Sequence, residues 1–369
     1  MPPAFRAIPI HYAASSREST RKGKAMNSKE NRLRVHIFST APQSADVGPE
    51  SYFQRVAQIA RWSEQAGCKG ILVYTDNRLV DPWLVSQIII ENTNFLCPLV
   101  AIQPVYMHPY AVANMVTSFA YIYGRRIYLN MVAGGFKMDL LALCDETPHD
   151  LRYERLFEYT TIIKRLLSDG SPLTFSGKFY QVKNLAMTPP MRADLFPGIF
   201  MSGSSDAGMA TARALDATAV EYPKPSEEYN EVTAAERTNS GIRIGIIATE
   251  DRSKAWQIAH ERFPGDRKGQ LTHKVAMKVS DSQWHKQLSE WDRATQGEES
   301  LYWLWPFKNY KTFCPYLVGS HEEVSNELAK YIRAGFKNFI LDIPAEEWDL
   351  QNSGVVFRKA VEKAGPMLK

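Results

Sequence analysis

The sequence is poor in residues that staple or ligate. Its 369 residues include four cysteines, Cys68, Cys97, Cys144 and Cys314, with no CxxC pair among them. That spacing excludes a cysteine-rich zinc module and a secreted disulfide framework, and it points to a reducing cytoplasm. Long apolar runs are missing as well. Stretches such as Leu84 to Ile90 stop at Gln or Glu, far short of the roughly 18 to 20 residues that cross a bilayer. No HExxH, GxSxG or Walker A loop occurs, so zinc-peptidase, nucleophile-elbow and P-loop chemistry have no foothold. Of the eight histidines only His36, His108 and His149 fall near strand ends or loops, and no metal centre is expected. Positive charge is scarce outside the head of the chain. The first 34 residues hold eight Lys/Arg and two Glu, leaving 36 basic against 38 acidic residues in the rest. A body at net −2 has none of the basic surface that binds nucleic acid.

The basic head (Arg17, Arg21, Lys22, Lys24, Lys29, Arg32, Arg34) has no apolar centre of the kind a signal peptide needs. Residues 1–32 are expected to be a disordered extension, with Met26 as an alternative start. The remainder has ordinary globular composition, 44 % hydrophobic and 23 % charged, with 17 Phe, 17 Tyr and 8 Trp to build a core.

From residue 33 short apolar runs alternate with amphipathic segments. Strands are expected at Leu33–Phe38, Gly70–Tyr74, Leu96–Ile102, Arg126–Met131, Gly198–Ser202, Ala217–Glu221, Ile242–Ala248 and Asn338–Asp342. Helical periodicity fills the intervals, ending at Gly67 for the first helix and starting near Asp81 with Pro82 in the first turn. Residues 174–182 read as a hairpin. Eight strands alternating with helices predict an α/β fold, the closed (β/α)8 TIM barrel, over residues 33–369. The open doubly wound sheet would need a Gly-rich turn after the first strand, and Ser39-Thr-Ala-Pro-Gln43 is not one. Residues 265–316, with Trp284, Trp291, Trp303 and Trp305, break the rhythm after the seventh strand. Some 50 residues far exceed an ordinary loop and predict a lid-like insertion over the barrel mouth.

Four segments carry chemistry. In Phe200-Met-Ser-Gly-Ser-Ser-Asp-Ala-Gly208 an apolar strand meets a helix through Gly203, Ser204 and Ser205. Glycine permits close approach, the hydroxyls donate, and the helix start presents free N–H groups, which together suit a phosphate; Asp206 is the expected N-cap. His149 and Tyr153 share one face of a helix entry. Tyr74-Thr-Asp-Asn-Arg78 and Asn130-Met-Val-Ala-Gly-Gly135 follow strands, where a barrel places its active mouth.

Taken in order, several motifs match one family. They are Gly70-Ile-Leu-Val-Tyr-Thr75, Asp81-Pro-Trp-Leu-Val85, Pro98-Leu-Val-Ala-Ile-Gln-Pro104 with His108-Pro109, Gly124-Arg-Arg-Ile-Tyr-Leu-Asn-Met-Val-Ala-Gly134, His149-Asp-Leu-Arg-Tyr-Glu-Arg155, Phe175-Ser-Gly-Lys-Phe-Tyr180, Ser202-Gly-Ser-Ser-Asp-Ala-Gly208 and Tyr316-Leu-Val-Gly319. Over about residues 33–365 the chain resembles the bacterial-luciferase-like flavin-dependent monooxygenases, in particular the alkanesulfonate monooxygenase branch. The resemblance implies a barrel that binds reduced FMN (FMNH2). With O2 as cosubstrate, a flavin C4a-peroxide would then oxygenate a small organic substrate. It further implies a separate flavin reductase as partner and a homo-oligomer, dimer or tetramer. The family's flavin-contacting positions fall on Asp76, Gln103, Asn130, His149, Tyr153, Ser204 and Ser205. A deazaflavin-dependent dehydrogenase or a non-catalytic flavin-binding protein on the same barrel are the alternatives.

The chain departs from the sulfonate branch on the substrate side. The branch's cysteine after the second strand is replaced near Leu79. Its Arg-x-His becomes Arg243-Ile-Gly245, its late Tyr becomes Ile343, and Tyr310 or Lys311 occupies the neighbourhood of the lid's Arg. Arg243 is kept and is the candidate catalytic residue, facing either a substrate anion or an internal partner, with Glu221 the expected one.

Overall fold

The computed structural model describes residues 35–134, 137–168, 170–203, 205–229, 239–279 and 299–365. The head, residues 1–32, with Leu33 and Arg34 of the first expected strand, lies outside them, as do Ser204, Trp284 and Trp291. Among the described residues eight parallel strands close a barrel. They are β1 (His36–Thr40), β2 (Gly70–Val73), β3 (Cys97–Ile102), β4 (Tyr128–Val132), β7 (Ile199–Ser202), β8 (Thr218–Glu221), β9 (Ser240–Thr249) and β12 (Asn338–Leu341). Pairing runs β12–β1–β2–β3–β4–β7–β8, and β9 joins β8 to β12. This is the (β/α)8 barrel that the alternation predicts, with strand ends shifted by at most three residues. The antiparallel hairpin β5 (Leu173–Ser176) and β6 (Gln181–Leu185) stands apart from it.

The helices begin where local chemistry dictates. Asp81 caps α2 (Pro82–Glu91), its carboxylate accepting from the N–H groups of Trp83 and Leu84. His108 caps α3 (Pro109–Tyr123), which stops at the left-handed Gly124. The long helix α5 (His149–Ser168) buries Leu156, Ile162, Ile163 and Leu166 against the barrel's outer face. Inside the barrel Phe38, Leu72, Leu99, Phe200, Val220 and Ile340 form a plug, with the rings of Phe38 and Phe200 edge to face at 5.1 Å. Each such residue, fully buried, contributes about 1.5 to 3 kcal/mol of transfer free energy. Leu72, Val220 and Ile340 of this plug are also the floor of a cavity that opens above it.

β9 is longer than its apolar run indicated because it serves β11 as well as its barrel neighbours β8 and β12. Residues 241–244 pair with β12, and residues 245–249 pair with β11 (Tyr316–Ser320). The segment after β9 therefore returns to the barrel wall and adds a strand to it. Trp303, in the short strand β10 (Tyr302–Trp303), packs edge-on against Trp256 and Phe263 and is 5 % exposed. The Trp305 indole N–H donates to the Phe263 carbonyl. Trp303 is buried, and Trp305 half-buried, against the barrel's own helix α7 (Arg252–Arg262) and the turn that follows it.

Candidate functional site

The cavity at the carboxyl ends of the strands has a volume of about 350 Å3, within the range of small-molecule sites. Asp76, Gln103, Asn130, His149, Tyr153, Gly203, Ser205 and Arg243 all line it. Residues that are widely separated in sequence thus meet because they lie in the strands, in the turns just past them or on the first turns of α5, at the end where a barrel collects its functional side chains. Ser204, between Gly203 and Ser205, is outside the described residues.

One wall is built from β4, α5 and the start of α6 (Asp206–Ala214). Ser202 donates from its hydroxyl to Asn130 Oδ1 at 2.9 Å, which leaves the Asn130 amide N–H groups for a ligand. His149 and Tyr153 pack edge to face at 5.2 Å, on one helix face as their spacing requires. The His149 ring also meets Asp150 Oδ1 at 2.8 Å. Tyr153 rests on the backbone after β7, and a Cβ on Gly203 would stand 2.5 Å from its hydroxyl. Gly203 is therefore needed for close approach. Burial raises the Tyr153 phenol above its ordinary range, with the Ser205 hydroxyl working in the other direction. The N-cap of α6 is Ser205, not Asp206: Ser205 Oγ accepts from Gly208 N–H at 3.2 Å. Ser205 Oγ thus accepts at the cap while its hydroxyl faces the Tyr153 phenol.

At the rim Asp76 is paired with Arg78 at 3.0 Å. Burial pushes the Asp76 carboxyl up, but the Arg78 hydrogen bonds outweigh it and hold the acid below its usual range. Asp139, in α4 (Lys137–Ala142), moves the other way, raised by burial and by the neighbouring Asp76 charge.

The opposite wall carries Arg243. Its Nη2 donates to Asp342 at 3.2 Å. Asp342 is the ion-pair partner rather than Glu221, which instead accepts from the Tyr229 hydroxyl at 2.7 Å. Asp342 also accepts from the hydroxyls of Thr312 (2.5 Å) and Tyr316 (2.8 Å). The loss of the branch histidine at Gly245 has a physical counterpart. A Cβ there would collide with the Tyr316 ring, so that ring fills the space and hands its hydroxyl to Asp342. Leu79 faces the cavity, whereas Ile343 packs against the core between barrel and helices. Of the two residues expected in the neighbourhood of the branch's lid arginine, Tyr310 lines the cavity with Phe313, and Lys311 turns to Asp266 at 2.7 Å. Sequence reasoning missed Ser202, Tyr74, Arg152, Tyr222 and Phe313 as individual lining residues. The first two lie within segments flagged by strand-end position, but Phe313 had no such signal, because an irregular return segment positions it.

All four cysteines are free. Among the described residues no group of three His, Cys, Asp or Glu side chains could hold a metal, and no helix is long and apolar enough to cross a membrane.

Three comparisons bear on the chain. The family described as luciferase-like monooxygenase matches residues 33–338. The 4-(gamma-L-glutamylamino)butanoyl-[BtrI acyl-carrier protein] monooxygenase BtrO of Niallia circulans is 35 % identical over 308 residues, which are 82 % of this chain and 90 % of that protein. Among solved structures, the EDTA monooxygenase EmoA from Chelativorans sp. BNC1 superposes with a TM-score of 0.67 at 13 % identity, covering 91 % of this chain and 95 % of that one. An F420-dependent secondary alcohol dehydrogenase shares the fold as well, with a TM-score of 0.60 at 15 % identity over 89 % of this chain and 99 % of that one.

Proposed function

The chain belongs to the luciferase-like monooxygenase family and is an oxidoreductase, and from that premise we propose that it is an FMNH2- and O2-dependent monooxygenase acting on a small organic substrate. Reduced flavin supplies two electrons, so that one oxygen atom of O2 enters the substrate and the other leaves as water. The observation that carries the reading is the convergence of Asn130, His149, Tyr153, Gly203 and Ser205 on one cavity beside the start of α6. In this assignment Ser205, with Ser204, donates to the flavin phosphate, where the helix start favours a negative group. Asn130 and Gln103 supply amide groups to the ring system, and Asp76 orients it from the rim. His149 and Tyr153 close the cavity over the phosphate arm. Tyr310 and Phe313 keep water out. A separate reductase supplies the reduced flavin.

The fold also hosts deazaflavin enzymes, so FMN is preferred here on the 35 % identity to a monooxygenase. That relative acts on an acyl group carried by an acyl-carrier protein. A carrier-tethered or otherwise thioester- or amide-linked acyl substrate is accordingly the substrate class we favour over a sulfonate. Self-association is assigned to the outer face near α2 and α3, where Leu84, Phe95, Tyr121 and Ile122 are all more than 60 % exposed. We place the protein in the cytoplasm, where its free cysteines stay reduced.

Anaerobic titration of the protein with photoreduced FMN, followed by admission of O2, tests the central claim. Saturable FMNH2 binding and O2 uptake above that of free flavin are expected. Hydride transfer with reduced deazaflavin and no O2 uptake with FMNH2 would replace the monooxygenase with the dehydrogenase.

A further inference from the structure

The wall opposite the His149 side holds more donors than the protein satisfies. Arg243 is 8 % exposed and faces the cavity. A guanidinium has five N–H bonds, yet among the described residues the acceptor bonded to it is Asp342, reached from Nη2. Its Nε is sealed from solvent and has no acceptor. The Tyr74 hydroxyl, on the same wall, is also enclosed and without a partner. The two groups are in contact, because the Arg243 guanidinium lies 4.8 Å over the Tyr74 ring, with the Tyr222 ring 5.9 Å away. Rings and Asp342 together hold the guanidinium in place before any ligand arrives.

Buried donors without acceptors destabilise a fold, so their persistence points to a ligand that supplies the acceptor. The charge balance restricts what that ligand is. Asp342 already compensates Arg243, and Asp342 is itself fixed by Thr312 and Tyr316. A sulfonate or carboxylate here would sit beside the Asp342 carboxylate, and the other arginines that line the cavity are Arg78, paired with Asp76 at the rim, and Arg152 of α5. Leu79, Phe313, Leu72 and Ile340 make the surrounding surface apolar.

We propose that Tyr74 and Arg243 form an electrically neutral, two-donor subsite for a carbonyl oxygen of the substrate, an amide or thioester rather than an anion. The proposal rests on the reading of the cavity as the oxygenase site, and it names the polar group that the substrate presents there. Tyr74 becomes a specificity residue and Arg243 its preorganised partner.

The test is Tyr74→Phe, which removes the hydroxyl and keeps the ring beneath Arg243. Butanoyl-N-acetylcysteamine thioester, butanoate and butanesulfonate are titrated into the full-length wild type and variant, with and without FMN, by ligand-observed NMR. The wild type should bind the thioester more tightly than either anion. The variant should bind the thioester about tenfold more weakly, with the anions and FMN unchanged and the melting temperature not lowered. A preference for either anion, a failure of the wild type to bind the thioester, or a variant that melts lower yet keeps thioester affinity would overturn the subsite. FMN titrations run alongside keep the two readings apart. If FMN does not bind, the flavin assignment falls, while the thioester series still decides the subsite.

Discussion

Replacing Asp342 by Ala removes the acceptor on which three side chains depend. Its carboxylate holds Arg243 of β9, Thr312 of the return segment and Tyr316 of β11, and its own backbone N–H donates to the Ile244 carbonyl. The Arg243 and Asp342 side chains are only 9 % and 11 % exposed, so solvent cannot take over the exposed charge. Breaking a buried pair from one side costs about 3 to 5 kcal/mol, because the remaining ion is left uncompensated. The two hydroxyl bonds, worth about 1 kcal/mol each in isolation, are part of that sum rather than an addition to it. We expect Asp342→Ala to lose about 3 to 4 kcal/mol in urea unfolding followed by tryptophan fluorescence. Thr312→Val and Tyr316→Phe should each lose about 1 kcal/mol. The decisive measurement is the double variant Arg243→Met with Asp342→Ala. Once the stranded cation is gone, its loss should be smaller than the sum of the two single losses by at least about 1.5 kcal/mol. A loss below about 1 kcal/mol for Asp342→Ala, or additivity within about 0.5 kcal/mol, would refute the account of Arg243 as a charge neutralised inside the wall.

Ser205→Asp preserves an N-cap for α6 but sets a negative charge where we place the flavin phosphate. FMN affinity should fall by about 100-fold or more while riboflavin affinity stays level, both read from flavin fluorescence quenching. Gly203→Ala drives a Cβ to 2.5 Å from the Tyr153 hydroxyl. It should cost about 1 to 3 kcal/mol of stability and at least tenfold in FMN affinity, and unchanged affinity would mean that Tyr153 does not border the flavin. Asp145 donates no proton at neutral pH: burial opposes its ionisation, but the Arg155 ion pair at 2.6 Å and Thr147 hold its pKa down to about 2. A depressed carboxyl stabilises the fold above its unfolded value and loses that contribution as pH falls toward 2, so Asp145→Asn should cost about 1 kcal/mol at pH 7, after allowance for screening. The difference from wild type should vanish on acidification from pH 4 to pH 2, and a pH-independent difference would place the effect elsewhere. Hydrogen exchange over residues 265–316 should slow when FMN and substrate are both present, whereas equal protection with and without them would make the segment a fixed wall.

The sequence by itself determined the barrel and the list of residues at its mouth. Periodicity alternates between strand and helix, each expected strand is present within a few residues, and Asp81, His108 and Gly124 mark helix ends through local hydrogen bonding and backbone freedom that need no distant partner. Positions in the strands or just past them brought Asp76, Asn130, Gly203 and Arg243 to one cavity, since the carboxyl ends of all strands in a closed barrel face the same way. Tertiary structure decided the rest. The partner of Arg243 is Asp342, 99 residues away in sequence, and nothing in the β8 or β9 sequence distinguishes it from Glu221. The added pairing of β9 with β11, the packing of Trp303 and Trp305 against α7, and the choice of Tyr310 over Lys311 for the cavity all follow from where the chain before β11 returns to the wall. Such long-range choices depend on which surfaces a chain of this length brings into contact, and local propensity carries no record of them.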